Sequence, residues 1–262
     1  MLTSLQNPLI KQLRKLHRSK ERHDQGRFLL EGTHLIEEAC AVHYPLSVVC
    51  CTPDWQASHP RLWKHLAQQA ERLELVSEAV LAAIATTVHP DGIVATAPRP
   101  APTLLFDRPL TLGLALETLQ DPGNLGTIIR TAAAAGVDGL WLSADSVDLD
   151  HPKALRASAG QWFRLPMAVS ADLPSTVQHY HAVGVQIIAT LPTAPQTYWE
   201  ADLTKPSLLL MGNEGSGLSP ELAAIADMAV RIPLAAGVES LNVAIATALI
   251  LYEAQRQRTY RA

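Results

Sequence analysis

Cysteine is scarce in this chain: three thiols in 262 residues, Cys40, Cys50 and Cys51, with no Cys-x-x-Cys spacing. That argues against a bound metal and for reduced, mostly buried thiols in a cytoplasmic protein. No run of eighteen or more apolar residues occurs, so neither a membrane-spanning helix nor a membrane partner is expected. The first residues, Met1-Leu2-Thr3-Ser4-Leu5-Gln6-Asn7-Pro8, lack the apolar core of a secretory signal. Two glycine-bearing turns are present, but neither reads G-x-x-x-x-G-K-[ST], and neither gives G-x-G-x-x-G after the first strand of a sheet. Walker-type and dinucleotide sites are therefore removed from consideration. Internal repeats and low-complexity tracts are also missing.

What is present is apolar mass enough for a core: 48% hydrophobic and 18% charged residues. The net charge of −4 argues against indiscriminate nucleic-acid binding, but the charge is unevenly spread. Residues 1–27 carry Lys11, Arg14, Lys15, Arg18, Lys20, Arg22 and Arg27 against only Glu21 and Asp24. A basic segment on an acidic body suits a phosphate backbone guided to one edge; a solvated amphipathic helix is the plainer alternative.

Apolar spacing of Leu5, Leu9, Leu13 and Leu16 predicts a first helix. Short strands at Phe28–Leu30, Ser47–Cys51, Leu73–Val76 and Asp91–Thr96 alternate with helices at Thr33–Ala41, Arg61–Glu71 and one capped by Ser77. That pattern fits a small α/β domain over 1–97. Pro98, Pro100 and Pro102 then mark an extended linker, 98–103. From 104 to 262 the strands become nearly continuous apolar runs: Leu112–Leu116, Gly139–Ser143, Gln186–Thr190, Ser207–Met211 and Ala229–Pro233. Such strands, separated by helices, indicate a parallel sheet covered on both faces. Trp141 and Trp162 are expected in core or interface packing rather than stacked on a base.

Three segments carry candidate chemistry. Asp121-Pro122-Gly123-Asn124 leads from a buried strand into a helix that holds Arg130, an amide and a guanidinium suited to an oxygen-rich ligand at a strand tip. Gly212-Asn213-Glu214-Gly215-Ser216-Gly217 follows another apolar strand, with Ser219 as N-cap and Pro220 at the first helical position. Glycines there permit close backbone approach to a ligand, although α/β turns also use glycine for purely steric reasons. Ile232-Pro233 ends a strand, and Ser240-Leu241-Asn242-Val243 opens a long apolar helix, with Ser240 suiting an N-cap and Asn242 the first turn. A helix apolar on nearly every face belongs in the core or an oligomer interface.

In order and spacing these segments, with Lys153-Ala154-Leu155-Arg156-Ala157-Ser158-Ala159-Gly160 between them, resemble the SpoU (TrmH-like) RNA ribose methyltransferases of the SPOUT superfamily. The resemblance spans about 105–258. Phe28-Leu29-Leu30-Glu31-Gly32 resembles, more loosely, the family's N-terminal substrate-binding domain. The resemblance implies an α/β fold whose C-terminal parallel-sheet SPOUT domain holds a deep trefoil knot, preceded by a small α/β RNA-binding domain. It further implies a homodimer, an S-adenosyl-L-methionine cofactor, and 2′-O-ribose methylation of rRNA, favoured over tRNA.

By position, Leu116, Glu117, Gly212, Gly217, Ile232 and Leu241 are the implied cofactor contacts. Asn124, Arg130, Glu214, Ser240 and Asn242 form the implied catalytic cluster. A guanidinium stays protonated, so Arg130 reads as a clamp on a neighbouring phosphate, with Glu214 orienting it. Lys11, Arg14, Lys15, Arg18, Lys153 and Arg156 are the RNA-contact candidates. The alternative on the same fold is a non-catalytic RNA-binding or ribosome assembly factor.

Overall fold

The computed structural model describes residues 1–101, 109–213 and 215–259; Glu214, Arg261 and linker positions 102 and 103 lie outside the described residues. The chain divides into two compact units: Met1–Ala101 with Asp148–Phe163, and Pro102–Val147 with Arg164–Ala262.

The first unit begins with α1 (Pro8–Lys15) and α2 (Ser19–Gln25). Asn7 caps α1 by accepting from the Leu9 backbone N–H at 2.9 Å, and Pro8 takes the first helical position. The helix therefore starts after Leu5, which is exposed, while Ile10, Leu13 and Leu16 are buried. Each of those burials contributes roughly 1.5–3 kcal/mol. β1 (Arg27–Glu31) leads to α3 (Thr33–Ala41) and β2 (Leu46–Cys51). The short helix α4 (Pro53–Ser58), α5 (Pro60–Gln69) and β3 (Ala70–Leu75) follow, then α6 (Glu78–Ile84) and β4 (Ile93–Pro98). Ser77 caps α6, as its position in the sequence suggests. The sheet order is β1-β4-β2-β3, with only the β2–β3 pair parallel.

Residues 148–163, which sequence continuity places in the second domain, belong with the first unit. Two contacts explain why. The fully buried Arg22 donates to Asp148 at 2.5 Å and to Asp150 at 3.1 Å. Trp162 packs on Phe28 (ring centroids 5.1 Å apart) and on Tyr44 at 5.9 Å. Neither is visible as a local pattern, because the partners lie more than a hundred residues apart along the chain.

In the second unit β5 (Leu112–Leu116), α7 (Pro122–Ala134) and β6 (Gly139–Ser143) come first. The chain makes its excursion through α8 (Pro152–Ala157) and returns as β7 (Met167–Ser170), α9 (Leu173–Ala182) and β8 (Gln186–Thr190). β9 (Gln196–Thr197), β10 (Ser207–Met211), α10 (Pro220–Ile225), β11 (Met228–Arg231) and α11 (Val243–Thr259) complete it. The seven strands run β7-β6-β5-β10-β8-β11-β9, every pair parallel.

Central β5 and β10 are buried along their whole length, which is why they read as unbroken apolar runs. Edge strand β7 is half-exposed and two-residue β9 is too short to carry a pattern, so both escape sequence reading. β11 stops at Arg231, two residues short of Pro233, which has no N–H to offer a ladder.

Candidate active site

Of the candidates, the described cofactor contacts, with Asn124, Ser240 and Asn242, lie on or just beyond the C-terminal ends of β5, β10 and β11. After β5, Thr118 adopts a left-handed backbone (φ 52°) that a non-glycine residue holds only when its surroundings compel it. Those surroundings are specific. The Thr118 N–H donates to Ser143 Oγ at 2.7 Å, and the Thr118 hydroxyl donates to Asp145 Oδ2 at 2.7 Å. Hydrogen bonds from the Ser143 and then the Thr118 hydroxyl hold the Asp145 carboxyl below the usual carboxylate range. Asp121 then caps α7 by accepting from the Asn124 N–H at 2.9 Å.

The glycine turn after β10 is closed by a two-residue bridge: Asn213 N–H to Gly217 O at 2.9 Å, and Gly217 N–H to Asn213 O at 3.0 Å. The Asn213 side chain accepts from the Gly215 and Ser216 N–H groups and donates to Thr118 O at 2.7 Å. It thereby ties this turn to the β5 tip. Gly212 is required by space: a Cβ there would stand 2.1 Å from the carbonyl carbon of Gly217 and from Leu218 N. Glu117 accepts from Ser219 N–H at 2.7 Å, fixing the exit of the same turn, and Ser219 caps α10 as its position suggests.

These turns and the exposed stretch 233–242 enclose a cleft of about 440 Å³, within the size range of cofactor pockets. Four expected cofactor contacts line it: Gly212, Gly217, Ile232 and Leu241. Leu116 is buried beneath the strand tip and Glu117 is engaged with Ser219, so neither is among the lining residues. Thr190, Leu191, Met211, Leu218 and Glu239 line it as well. The signal that finds Thr190 and Leu191 is their place at the end of β8, since ligands of open α/β sheets collect at strand tips.

Of the polar cluster, the structure joins Asn124 and Asn242: Asn242 Nδ2 donates to Asn124 Oδ1 at 2.9 Å. Asn242, not Ser240, caps α11, because its Oδ1 accepts from Ala244 N–H at 2.9 Å and Ile245 N–H at 3.3 Å. Ser240 instead lines the cleft. Arg130 is exposed on α7, and its side chain makes no hydrogen bond to a described residue. It stands about 9 Å further along the helix axis than Asn124 and on a different face. Glu214 lies outside the described residues.

The RNA-contact candidates all fall in the first unit. Lys11, Arg14, Lys15, Arg18 and Lys153 are exposed, whereas Arg156 donates to the buried Glu31 at 2.8 Å and to Thr86 Oγ1. Trp141 and Trp162 are core residues. All three cysteines are buried and free; burial first, and nearby charges after it, push the Cys50 thiol up to about 12, and burial alone does the same for Cys51. Among the described residues no cluster suits a metal ion, and no helix is long and apolar enough to cross a membrane.

Comparison with known proteins places this geometry. Residues 111–252 match the SpoU rRNA Methylase family, and residues 7–95 match the MRM3-like substrate binding domain. A Synechocystis protein named an uncharacterized tRNA/rRNA methyltransferase is 50% identical, over 98% of this chain and 94% of its own length. The 23S rRNA (guanosine(2553)-2′-O)-methyltransferase RlmP of Bacillus subtilis is 34% identical, over 96% of this chain and 97% of its own. The AdoMet-bound rRNA methyltransferase of Sinorhizobium meliloti superposes with a TM-score of 0.87 at 34% identity, covering 97% of both chains.

Proposed function

The chain belongs to the SpoU rRNA methylase family, and from that premise we propose that it methylates a ribose 2′-hydroxyl in rRNA, using S-adenosyl-L-methionine. The observation that carries the proposal is the cleft at the strand tips with Ser240 in its wall and the Asn124–Asn242 pair closing the start of α11. The cleft's chemistry fits the cofactor: aliphatic walls from Leu191, Ile232 and Leu241 for an adenosine, and a backbone brought close by Gly212. When bound, the cofactor supplies a methyl group on a sulfonium, an electrophile that needs an aligned oxygen nucleophile.

The chain's own residues then have to place that oxygen and ease loss of its proton. In this reading Asn124, Ser240 and Asn242 hold the ribose by hydrogen bonds. Arg130, whose guanidinium points to solvent unengaged by the described residues, clamps the neighbouring phosphate and lowers the hydroxyl's proton affinity. Glu214 orients Arg130. The first unit serves as the RNA-binding domain, with Lys11, Arg14, Lys15, Arg18 and Lys153 as phosphate contacts. Arg156 is better assigned to holding Glu31.

Cytoplasmic location, a trefoil knot in the second unit and a homodimer complete the reading. The exposed apolar row Ile245, Leu249 and Tyr252 on α11 supports the last of these. The experiment is ribose-methylation mapping of total RNA from cells with and without this gene. One lost 2′-O-methyl site in rRNA, restored by wild type but not by Arg130→Ala, is the expected result. An unchanged map in expressing cells, with no S-adenosylmethionine binding by calorimetry, points to a non-catalytic RNA-binding factor.

A further inference from the structure

Among the described residues lining the cleft, every side chain but one is uncharged; the exception is Glu239. It precedes the cleft-lining Ser240, in a stretch that is exposed throughout. Its carboxylate has neither a hydrogen bond nor an ion pair with a described residue, and no role in the capping or bridging that builds the turns. Among the described residues, a cleft wall of methyls, hydroxyls, amides and backbone therefore carries a single carboxylate.

The ligands proposed for this cleft differ by one positive charge. The donor carries a sulfonium, an ammonium and a carboxylate. In methyl transfer the carbon–sulfur bond breaks with its electron pair left on sulfur, the carbon–oxygen bond forms, and the hydroxyl proton passes to water. The product S-adenosylhomocysteine is thus a neutral thioether with the same adenosine and the same amino-acid end. Apolar walls and backbone hydrogen bonds serve both molecules alike, so they give no means of telling donor from product. A carboxylate does.

Resting on the cofactor reading above, we propose that Glu239 is a charge selector, favouring the sulfonium donor over the thioether product. The reacting end of the donor has to face the ribose-holding group to which Ser240 belongs, and Glu239 is that residue's immediate neighbour in the cleft wall. Were a carboxylate and a sulfonium to stand about 4 Å apart in a solvated rim, their attraction of about 1 kcal/mol would give a preference of roughly five- to tenfold. The attraction weakens with salt, because an exposed pair is screened over about 8–10 Å at physiological ionic strength.

The test is calorimetric titration of the full chain with S-adenosylmethionine and, separately, S-adenosylhomocysteine, for wild type and Glu239→Gln. Glu239 has no bonded partner among the described residues, so the variant should unfold at the wild-type temperature, which thermal denaturation checks. Expected is a roughly five- to tenfold weaker donor affinity in Glu239→Gln, product affinity unchanged within twofold, and donor binding that falls with salt only in wild type. Equal weakening of both ligands assigns Glu239 to the shared ammonium and overturns the selector, as does no weakening of either. A wild-type protein that binds neither ligand removes the cofactor reading itself, and the selector with it.

Discussion

Asn242 uses both ends of its amide: Oδ1 caps α11 through the Ala244 and Ile245 N–H groups, and Nδ2 reaches Asn124 Oδ1 at 2.9 Å, across 118 residues of chain. One side chain thus fixes where the last helix starts and holds the amide at the first turn of α7.

The two tasks can be separated. Asn242→Ser keeps a good capping group but is too short to reach Asn124, so stability should stay near wild type while methyl transfer drops. Asn242→Ala loses both, and the missing cap alone costs about 1 kcal/mol. Urea denaturation beside a methyl-transfer assay checks the pair. Equal destabilisation by serine and alanine would show that the cap is not what Asn242 contributes.

Gly212→Ala should destroy the cleft rather than trim it. The added methyl meets Gly217 and Leu218 backbone at 2.1 Å, and backbone there has no soft rotamer through which to yield. Relief requires opening the Asn213–Gly217 bridge, at a cost of about 1–3 kcal/mol or more. Calorimetry should find no S-adenosylmethionine binding. Gly136→Ala is the control, since no atom lies within 4 Å of its added methyl; only its positive φ (74°) resists the change.

Arg22 is a buried cation with two carboxylate partners, and Asp150 is buried with it. Arg22→Met leaves Asp148 without its arginine and the buried Asp150 with Arg99 as its one remaining cation among the described residues, and should destabilise the first unit by about 1–3 kcal/mol, read by denaturant titration. A pH dependence accompanies it. Burial alone raises the Asp148 carboxyl, but hydrogen bonds from Ser19, His23 and Arg22, together with the Arg22 charge, outweigh it and leave the group below its ordinary range. A carboxylate depressed in the folded state contributes stability above its unfolded value, and that contribution disappears as pH falls through the folded one. Wild type should therefore lose this stability below about pH 4, while Asp148→Asn shows a flatter acid limb.

On α11, Ile245, Leu249 and Tyr252 recur at helical spacing and are 52%, 38% and 51% exposed. An apolar row of this kind is costly to leave wetted. Ile245→Asp with Leu249→Asp should convert a dimer to a monomer in sedimentation velocity, with helix content kept in circular dichroism. A wild-type monomer at micromolar concentration would remove the dimer from the proposal.

Much of the second unit is legible from the chain because its central strands are buried on both faces. Leu112–Leu116, Gly139–Ser143, Gln186–Thr190 and Ser207–Met211 coincide with the observed strands. Capping chemistry is equally local: Ser77 and Ser219 cap as their positions suggest, each followed by a helix whose first N–H groups need an acceptor. Ser240 fails by the same logic, since an equally good cap two residues on, Asn242, also has Asn124 to bond. Sequence offers no way to rank two caps when the choice depends on a partner 118 residues away.

By itself the sequence determined the central strands, the parallel sheet they form and the motifs at its strand tips, because those follow from burial periodicity, glycine and proline geometry and local capping. Tertiary structure alone decided that 148–163 packs with the first unit and that Arg22 and Arg156 spend their charge inside the protein. It alone decided, too, that Glu239 is the one described charge in the cleft wall. The physical reason is common to all three: whether an ionisable side chain meets a counter-charge, a ligand space or water is set by residues distant in the chain.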